Sequence, residues 1–123
     1  MTAIDTSLAY HRHWTSGEAE SAWAMLAPGV VCDSPAGRLS GREAVRAFMA
    51  PFAAGLASSV LLASFGDSKH ALLMYDTATP IVDSAPAAEL HTVHDGVITH
   101  IRIVFDRLPF ALARGDVTPA VRR

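Results

Sequence analysis

Four side chains in this sequence could give or take a proton in otherwise apolar surroundings: Tyr10, Asp76, Glu89 and His91. Tyr10 shares a predicted helix face with Trp14, so its ring is expected to point inward while its hydroxyl needs a partner. Glu89 and His91 are two apart on a predicted strand and share one face of it. Asp76 ends an apolar run, where it either initiates a turn or serves as a base. Together these groups suit general acid and base chemistry.

The face that Glu89 occupies depends on the turn at Asp95-Gly96, the strongest hairpin signal in the chain. A three-residue loop pairs Glu89 with Ile101 and turns the carboxyl toward apolar residues. A two-residue loop pairs Leu90 with Ile101 and leaves Glu89 in solvent. Periodicity alone does not choose between them. In the first register, burial is expected to raise the pKa of the carboxyl.

The histidines and the sequence motifs do not suggest a metal or cofactor site. His91 and His94 fall on opposite faces of a strand, and His11 and His13 diverge on a helix. The sequence contains no serine elbow, phosphate loop or dinucleotide fingerprint. We therefore expect a site that works without metal or cofactor.

The composition indicates one domain over residues 1–123. Half of the 123 residues are hydrophobic, which is enough for a core, and no linker or repeat divides the chain. The formal net charge of −2 argues against nucleic acid or a membrane surface as a partner. The lone Cys32 and an N-terminus without an apolar leader predict a cytoplasmic protein.

The elements that would position these residues are helices first and strands afterwards. Helical periodicity covers residues 3–16, 18–27 and 41–57, with Pro51 expected to kink or split the third helix. Strand patterns cover residues 30–34, 60–65, 71–77, 87–94 and 97–106. This order predicts an α+β fold, a cone-shaped roll of three N-terminal helices on a curved, mostly antiparallel sheet.

A sheet that curls around helices leaves a wedge, which becomes an apolar pocket if large side chains do not fill it. The same apolar stripes are also typical of an ordinary core. The residues expected to contact a small apolar ligand there are Trp14, Cys32, Ser34, Phe48, Phe52, Met74, Ile101, Ile103 and Phe105.

Several short segments, in this order and spacing, resemble the ketosteroid isomerase-like superfamily, which includes SnoaL-like polyketide cyclases and nuclear transport factor 2. The resemblance extends over nearly the whole chain. Its parts are Tyr10 seven residues before Gly17, Leu26-Ala27-Pro28, Cys32 to Gly37, Ser40 to Ala44, and Asp95-Gly96-Val97-Ile98 leading to Phe105-Asp106.

The resemblance implies roles for three positions. Tyr10 falls where the isomerases carry the tyrosine that hydrogen-bonds a developing oxyanion. Glu89 falls where isomerases and SnoaL-like cyclases carry a functional aspartate. Ser34 occupies the position of the isomerase base, and a serine hydroxyl is a far weaker proton acceptor than a carboxylate. Asp33, next to it, is expected on the opposite face of the strand.

The leading hypothesis is an enzyme that stabilises an enolate of an apolar, carbonyl-bearing substrate, as isomerases, cyclases and dehydratases do. In this hypothesis Tyr10 and a protonated Glu89 donate to the oxyanion, and His91 or Asp76 is the base. The alternative is a module that binds an apolar small molecule without turning it over, for which Ser34 is the best argument.

A third possibility is a structural role through the outer face of the sheet. His100, Arg102 and Val104 alternate there, and a face of mixed polarity suits a two-fold interface. The families that the chain resembles often dimerise. We therefore expect a homodimer.

Overall fold

The computed structural model describes residues 2–118, which form four helices around one sheet. The helices are α1 (Ala3–Thr15), α2 (Ala19–Trp23), α3 (Arg42–Ala54) and α4 (Leu108–Arg114). Thr2 caps α1, because its hydroxyl accepts from the Asp5 backbone N–H while the Asp5 carboxylate accepts from the Thr2 N–H. None of these helices has the length and apolar character that crossing a bilayer requires.

The sheet is six-stranded, curved and mixed. Its strands are β1 (Leu26–Ser34), β2 (Gly37–Ser40), β3 (Ser58–Gly66), β4 (His70–Ala78), β5 (Ala87–His94) and β6 (Val97–Phe105). They lie in the order β2-β1-β6-β5-β4-β3. All neighbours are antiparallel except β1 and β6, which run parallel. The predicted α+β fold with a mostly antiparallel sheet is confirmed, and the parallel pair is an addition to it.

Some element boundaries differ from the prediction. The second helix is a single short turn that ends at Trp23, and the strand predicted from residue 30 already begins at Leu26. Pro51 lies inside α3 without splitting it, and the helix ends a few residues later at Ala54. The sequence analysis had not predicted β2 and α4.

The β5–β6 hairpin contradicts both predicted registers. Asp95 and Gly96 have φ of 49° and 77°, and they form a two-residue loop in which both residues are left-handed. Beyond it, Thr99 is an extra residue between two ladder pairs, a bulge that shifts every later pairing by one. Glu89 therefore lies opposite Ile103 and still faces inward.

The two faces of the sheet differ in burial. On β4 the side chains of Leu73, Tyr75 and Thr77 are buried, and those of the alternating residues Leu72 and Met74 are exposed. The inner face packs against α1 and α3 around the core, and within residues 2–118 large apolar side chains of the outer face are exposed. Inner-face residues of β4, β5 and β6 are thus the ones that can build a site beneath the helices.

Candidate functional site

A cavity of about 310 Å³ lies between α3, α4 and the inner face of β4, β5 and β6. Its wall is mostly apolar, and the side chains that contribute polar groups to it are Tyr75, Thr77, Arg107 and Arg114. The remaining lining residues are Ala36, Phe48, Met49, Pro51, Phe52, Ala85, Ala87, Ile103, Phe105 and Phe110.

Behind Tyr75, a chain of hydrogen bonds runs from the cavity wall into the core. The Tyr75 hydroxyl donates to Glu89 Oε2. Glu89 Oε1 is hydrogen-bonded to His91 Nε2 at 3.0 Å, and His91 Nδ1 is hydrogen-bonded to Ser7 Oγ at 2.8 Å. Glu89 and His91 are 2% and 1% exposed, so Tyr75 is the member of this chain that lines the cavity.

The strand registers and α1 bring these four residues together. Glu89 pairs with Leu73, two residues before Tyr75 on β4, so the phenol and the carboxyl are diagonal neighbours on the inner face. His91 is the next inward residue of β5. Ser7 comes from the buried face of α1, far away in sequence.

The pKa of Glu89 differs from the expectation. Burial acts to raise it, but the hydrogen bond and charge of His91, with smaller contributions from Tyr75 and His11, outweigh burial and lower the pKa. The predicted rise, and the protonated Glu89 based on it, are wrong because the carboxyl is paired rather than surrounded by hydrocarbon. Burial, followed by the charge of Glu89, raises the pKa of Tyr75 well above its ordinary value, so its phenol keeps its proton.

Tyr10 and His11 pack against this chain from α1. The Tyr10 ring meets the His91 ring edge-on, with 5.4 Å between centroids, and its hydroxyl has no hydrogen-bond partner among the described residues. Tyr10 does not line the cavity, so the expectation that Tyr10 and Glu89 point into one pocket is wrong. The ring centroids of His11 and Tyr75 are 4.7 Å apart, and burial lowers the pKa of the His11 imidazole.

Of the predicted ligand contacts, Phe48, Phe52, Ile103 and Phe105 line the cavity. Three others are buried elsewhere in the core. Trp14 stands behind the wall, with its ring 5.5 Å from that of Tyr75 and 6.2 Å from that of Phe52. Cys32 and Ile101 are paired residues of β1 and β6 and are 2% exposed.

Three predicted site residues lie away from the cavity. Asp76 is on the outer side of β4, where its carboxylate accepts from Ser84 Oγ at 2.8 Å and from the Ala85 N–H at 2.9 Å. This contact anchors the β4–β5 loop, and Asp76 does not initiate a turn, because β4 continues to Ala78. Met74 is 45% exposed on the outer face. Ser34 closes the β1–β2 turn by donating to the Gly37 carbonyl at 2.9 Å.

The sequence analysis missed Tyr75 and all of α4. Tyr75 could have been found, since it alternates with Leu73 and Thr77 on a predicted strand. The signal for α4 was also present: Pro109 lies in the first turn, and Gly115 ends the helix with φ of 79°. Tyr75 supplies the hydroxyl that links the cavity to Glu89, and α4 supplies part of the cavity wall.

Metal ligation finds no support within residues 2–118, where no cluster of three or more His, Cys, Asp or Glu side chains could hold an ion. Cys32 is a buried free thiol, and burial raises its pKa to about 12. A thiol with this pKa is a poor nucleophile near neutral pH.

Comparison with known proteins gives one family and many related folds. Residues 8–101 match the SnoaL-like domain family. A crystal structure of a protein from Kribbella flavida DSM 17836 is 55% identical in sequence, covers 94% of this chain and 95% of that chain, and has a TM-score of 0.90. No curated protein matches the sequence.

More distant structures share the fold. A candidate polyketide cyclase from Sinorhizobium meliloti is 18% identical, with 80% of this chain and 93% of that chain covered and a TM-score of 0.70. A candidate isomerase from Rhodopseudomonas palustris is 16% identical, with 90% and 93% covered and a TM-score of 0.69. At these identities the likeness establishes the architecture.

Proposed function

We propose that this chain, which belongs to the SnoaL-like family, is a cofactor-free enzyme that moves a proton on an apolar, carbonyl-bearing substrate. The observation that carries the proposal is the buried carboxylate of Glu89, hydrogen-bonded to a tyrosine of the cavity wall. The distant structures described as a polyketide cyclase and an isomerase support the same class of reaction.

In the proposed step, Tyr75 passes the proton between the substrate and Glu89. The Tyr75 oxygen takes a proton from the carbon next to the substrate carbonyl while the phenolic proton moves to Glu89 Oε2. An enolate forms and the carboxylate becomes neutral, so charge is conserved. Return of the proton to another carbon isomerises the substrate, and attack of the enolate carbon on a second carbonyl of the same molecule closes a ring.

Two features of the cavity favour the enolate. The described lining of the cavity includes no carboxylate, so negative charge develops without repulsion from the wall. The pKa of Glu89 lies below its ordinary value, so the carboxylate is ionised at neutral pH, which is the form that can accept a proton. Tyr75 thus takes the place that the sequence analysis gave to Tyr10.

The second candidate, a module that binds without turnover, has its own support. Among the described lining residues there is no carboxylate or imidazole in direct reach of a ligand. In this case Tyr75 orients a ligand oxygen, and the buried chain only fixes the phenol. The two candidates differ in whether a bound ketone exchanges its protons.

A deuterium-exchange experiment separates them. The protein is incubated in D₂O with 4-phenylbutan-2-one, and exchange next to the carbonyl is followed by NMR. Wild type is expected to accelerate exchange, and Tyr75→Phe, which keeps the ring and removes the hydroxyl, to reduce the rate by about 10²–10⁴-fold. Tyr10→Phe is the matched control, because it removes a buried hydroxyl that has no hydrogen-bond partner within residues 2–118.

The outcomes are distinct. Loss of exchange in Tyr75→Phe with retention in Tyr10→Phe supports the relay. Loss in Tyr10→Phe with retention in Tyr75→Phe would return the role to Tyr10, and equal loss in both variants would refute a specific role of Tyr75. Ketone binding by wild type without exchange would refute the enzyme and favour the binding module.

We also propose that the outer sheet face joins two copies of this chain. Phe65, Leu72 and Leu90 lie side by side across β3, β4 and β5, each at least 39% exposed. Beside them Asp33 and Arg102 supply both signs of charge, as a self-complementary two-fold face requires. From strand lengths and spacing the face measures roughly 30 by 25 Å, close to the ~800 Å² per partner of a standard interface.

Light scattering tests the dimer. Wild type is expected to be dimeric at micromolar concentration, and Leu72→Glu to be monomeric because a carboxylate would be buried at the centre of the interface. Ile81→Glu is the control, since Ile81 is 72% exposed in the loop after β4. A monomeric wild type would refute the interface.

A cytoplasmic location completes the proposal. Cys32 is buried and unpaired, and a thiol in this state fits a reducing compartment. Fractionation of the native host tests this assignment.

A further inference from the structure

The cavity wall changes in character from its inner end to its mouth. The Tyr75 side of the wall is buried, at 3% exposure. Arg107, Phe110 and Arg114, which belong to α4 or directly precede it, also line the cavity, and both arginines are exposed. Most of the remaining lining residues are apolar. A molecule that fills the cavity therefore meets a buried phenol and exposed positive charge.

The two arginines differ in their partners. Arg114 Nε donates to Asp116 Oδ2 at 2.8 Å, so its charge is partly offset. Arg107 makes no ion pair within residues 2–118, and it donates to the Pro35 carbonyl at 3.5 Å. The neighbouring Asp106 carboxylate accepts from the Leu108 N–H at 2.9 Å. Arg107 thus has hydrogen-bonding capacity to spare beside an apolar cavity.

This local excess of positive charge contrasts with the chain as a whole. The sequence has 12 acidic and 10 basic residues, whereas the described lining of the cavity has two arginines and no acidic residue. Guanidinium groups form forked hydrogen bonds that match the two oxygens of a carboxylate. The composition of the mouth therefore favours an anionic group on the ligand.

We propose that the substrate is a small keto acid, with its carboxylate at Arg107 and Arg114 and its reacting carbonyl toward Tyr75. The proposal rests on the proposed function for the carbonyl end, and it adds the charge of the substrate. The cavity volume of about 310 Å³ lies at the lower end of the range for small-molecule sites, which fits a small substrate.

Calorimetry with two probes of nearly equal size tests the charge. 3-Phenylpropanoate and 4-phenylbutan-2-one differ mainly in having a carboxylate oxygen or a methyl group at the polar end. Wild type is expected to bind the acid more tightly. The double variant Arg107→Gln and Arg114→Gln should weaken acid binding about tenfold, which is a modest effect because the site is partly exposed. Ketone binding should change less than twofold.

Arg12→Gln is the matched control, because it removes an exposed arginine of α1 that lies outside the cavity lining. It should leave both dissociation constants unchanged. Equal affinity for the two probes in wild type, or equal losses in Arg12→Gln and the double variant, would overturn the keto acid.

The two proposals fail separately. Deuterium exchange that depends on Tyr75, with no preference for the acid, would refute the anionic substrate and leave the enzyme standing. Arginine-dependent binding of the acid confirms the mouth as an anion site even if no probe exchanges its protons.

Discussion

Two carboxylate–histidine pairs lie on opposite faces of the same sheet. Glu89 and His91 are 3.0 Å apart on the inner face, and their side chains are 3% and 1% exposed. Asp33 and His100 are 2.8 Å apart on the outer face, at 13% and 34%. The distances are nearly equal, so any difference in behaviour comes from the surroundings.

The pKa of both carboxyls is lowered, but the partners that lower it and the burial that opposes them differ in weight between the two. The hydrogen bond from Arg38, followed by that from His100, lowers the pKa of Asp33 to about 2, and burial opposes them weakly. For Glu89, burial is the largest influence and is still outweighed by His91 and Tyr75. The ionised form of Glu89 therefore depends on a few buried partners. Asp33, in contrast, is stabilised both by several cations and by partial exposure to water.

The largest expected effect is on stability when the imidazole is removed from each pair. His91→Ala leaves a buried carboxylate with Tyr75 alone and should lower the free energy of unfolding by about 3–5 kcal/mol. His100→Ala leaves Asp33 with Arg38 and Arg102, so its effect should be a small fraction of that. Urea denaturation at pH 7 measures both, and equal losses would remove the distinction between the faces.

An intermediate effect is expected in the pH dependence of Glu89→Gln. Because the folded pKa of Glu89 lies below its ordinary value of 4.5, its ionisation contributes stability at neutral pH. This contribution is lost as the pH falls below 4.5 toward the folded pKa. Glu89→Gln should be less stable than wild type at pH 7, and the gap should narrow below pH 4.5. A variant more stable than wild type at pH 8 would mean a raised pKa instead.

The smallest effect is expected from salt on the outer pair. The stability difference between Asp33→Asn and wild type should shrink in 1 M NaCl, where the screening length is about 3 Å. The difference between Glu89→Gln and wild type should persist, because salt does not reach a buried pair. Thermal unfolding with and without salt compares the two, and equal salt sensitivity would contradict the contrast.

The sequence was sufficient for the fold class, whereas the face of Glu89 stayed open between two registers, neither of which the structure adopts beyond the bulge at Thr99. It was not sufficient for the sign of the Glu89 pKa shift, because the deciding contacts depend on which residues of β4 and β5 lie together. Alternation along β5 placed His91 on the same face, but no local pattern shows that its other nitrogen reaches Ser7, 84 residues away.

The errors at Asp76 and Tyr75 have one cause. Both residues belong to β4, and the carboxyl-bearing Asp76 was predicted as a site residue whereas the neighbouring Tyr75 was not. A strand alternates its side chains, so accepting Tyr75 as inward would have placed Asp76 outward. Ser34 and Met74 failed for different reasons. The Ser34 hydrogen bond is local to a turn that Pro35 and Gly37 already indicate, whereas the exposure of Met74 on the outer face is a tertiary fact that spacing does not encode.

The bulge at Thr99 has a consequence for how such a protein can diversify. The residues before and after Thr99 are Ile98, which faces inward, and His100, which faces outward. Two directly adjacent residues of a regular strand have this same arrangement. Loss of the single codon for Thr99 would therefore keep every side chain on its own face and mainly straighten the strand, since bulges bend and twist the strands that carry them. The volume between the sheet and the helices could then change during evolution through the loss of one codon, without any substitution among the residues that line the cavity.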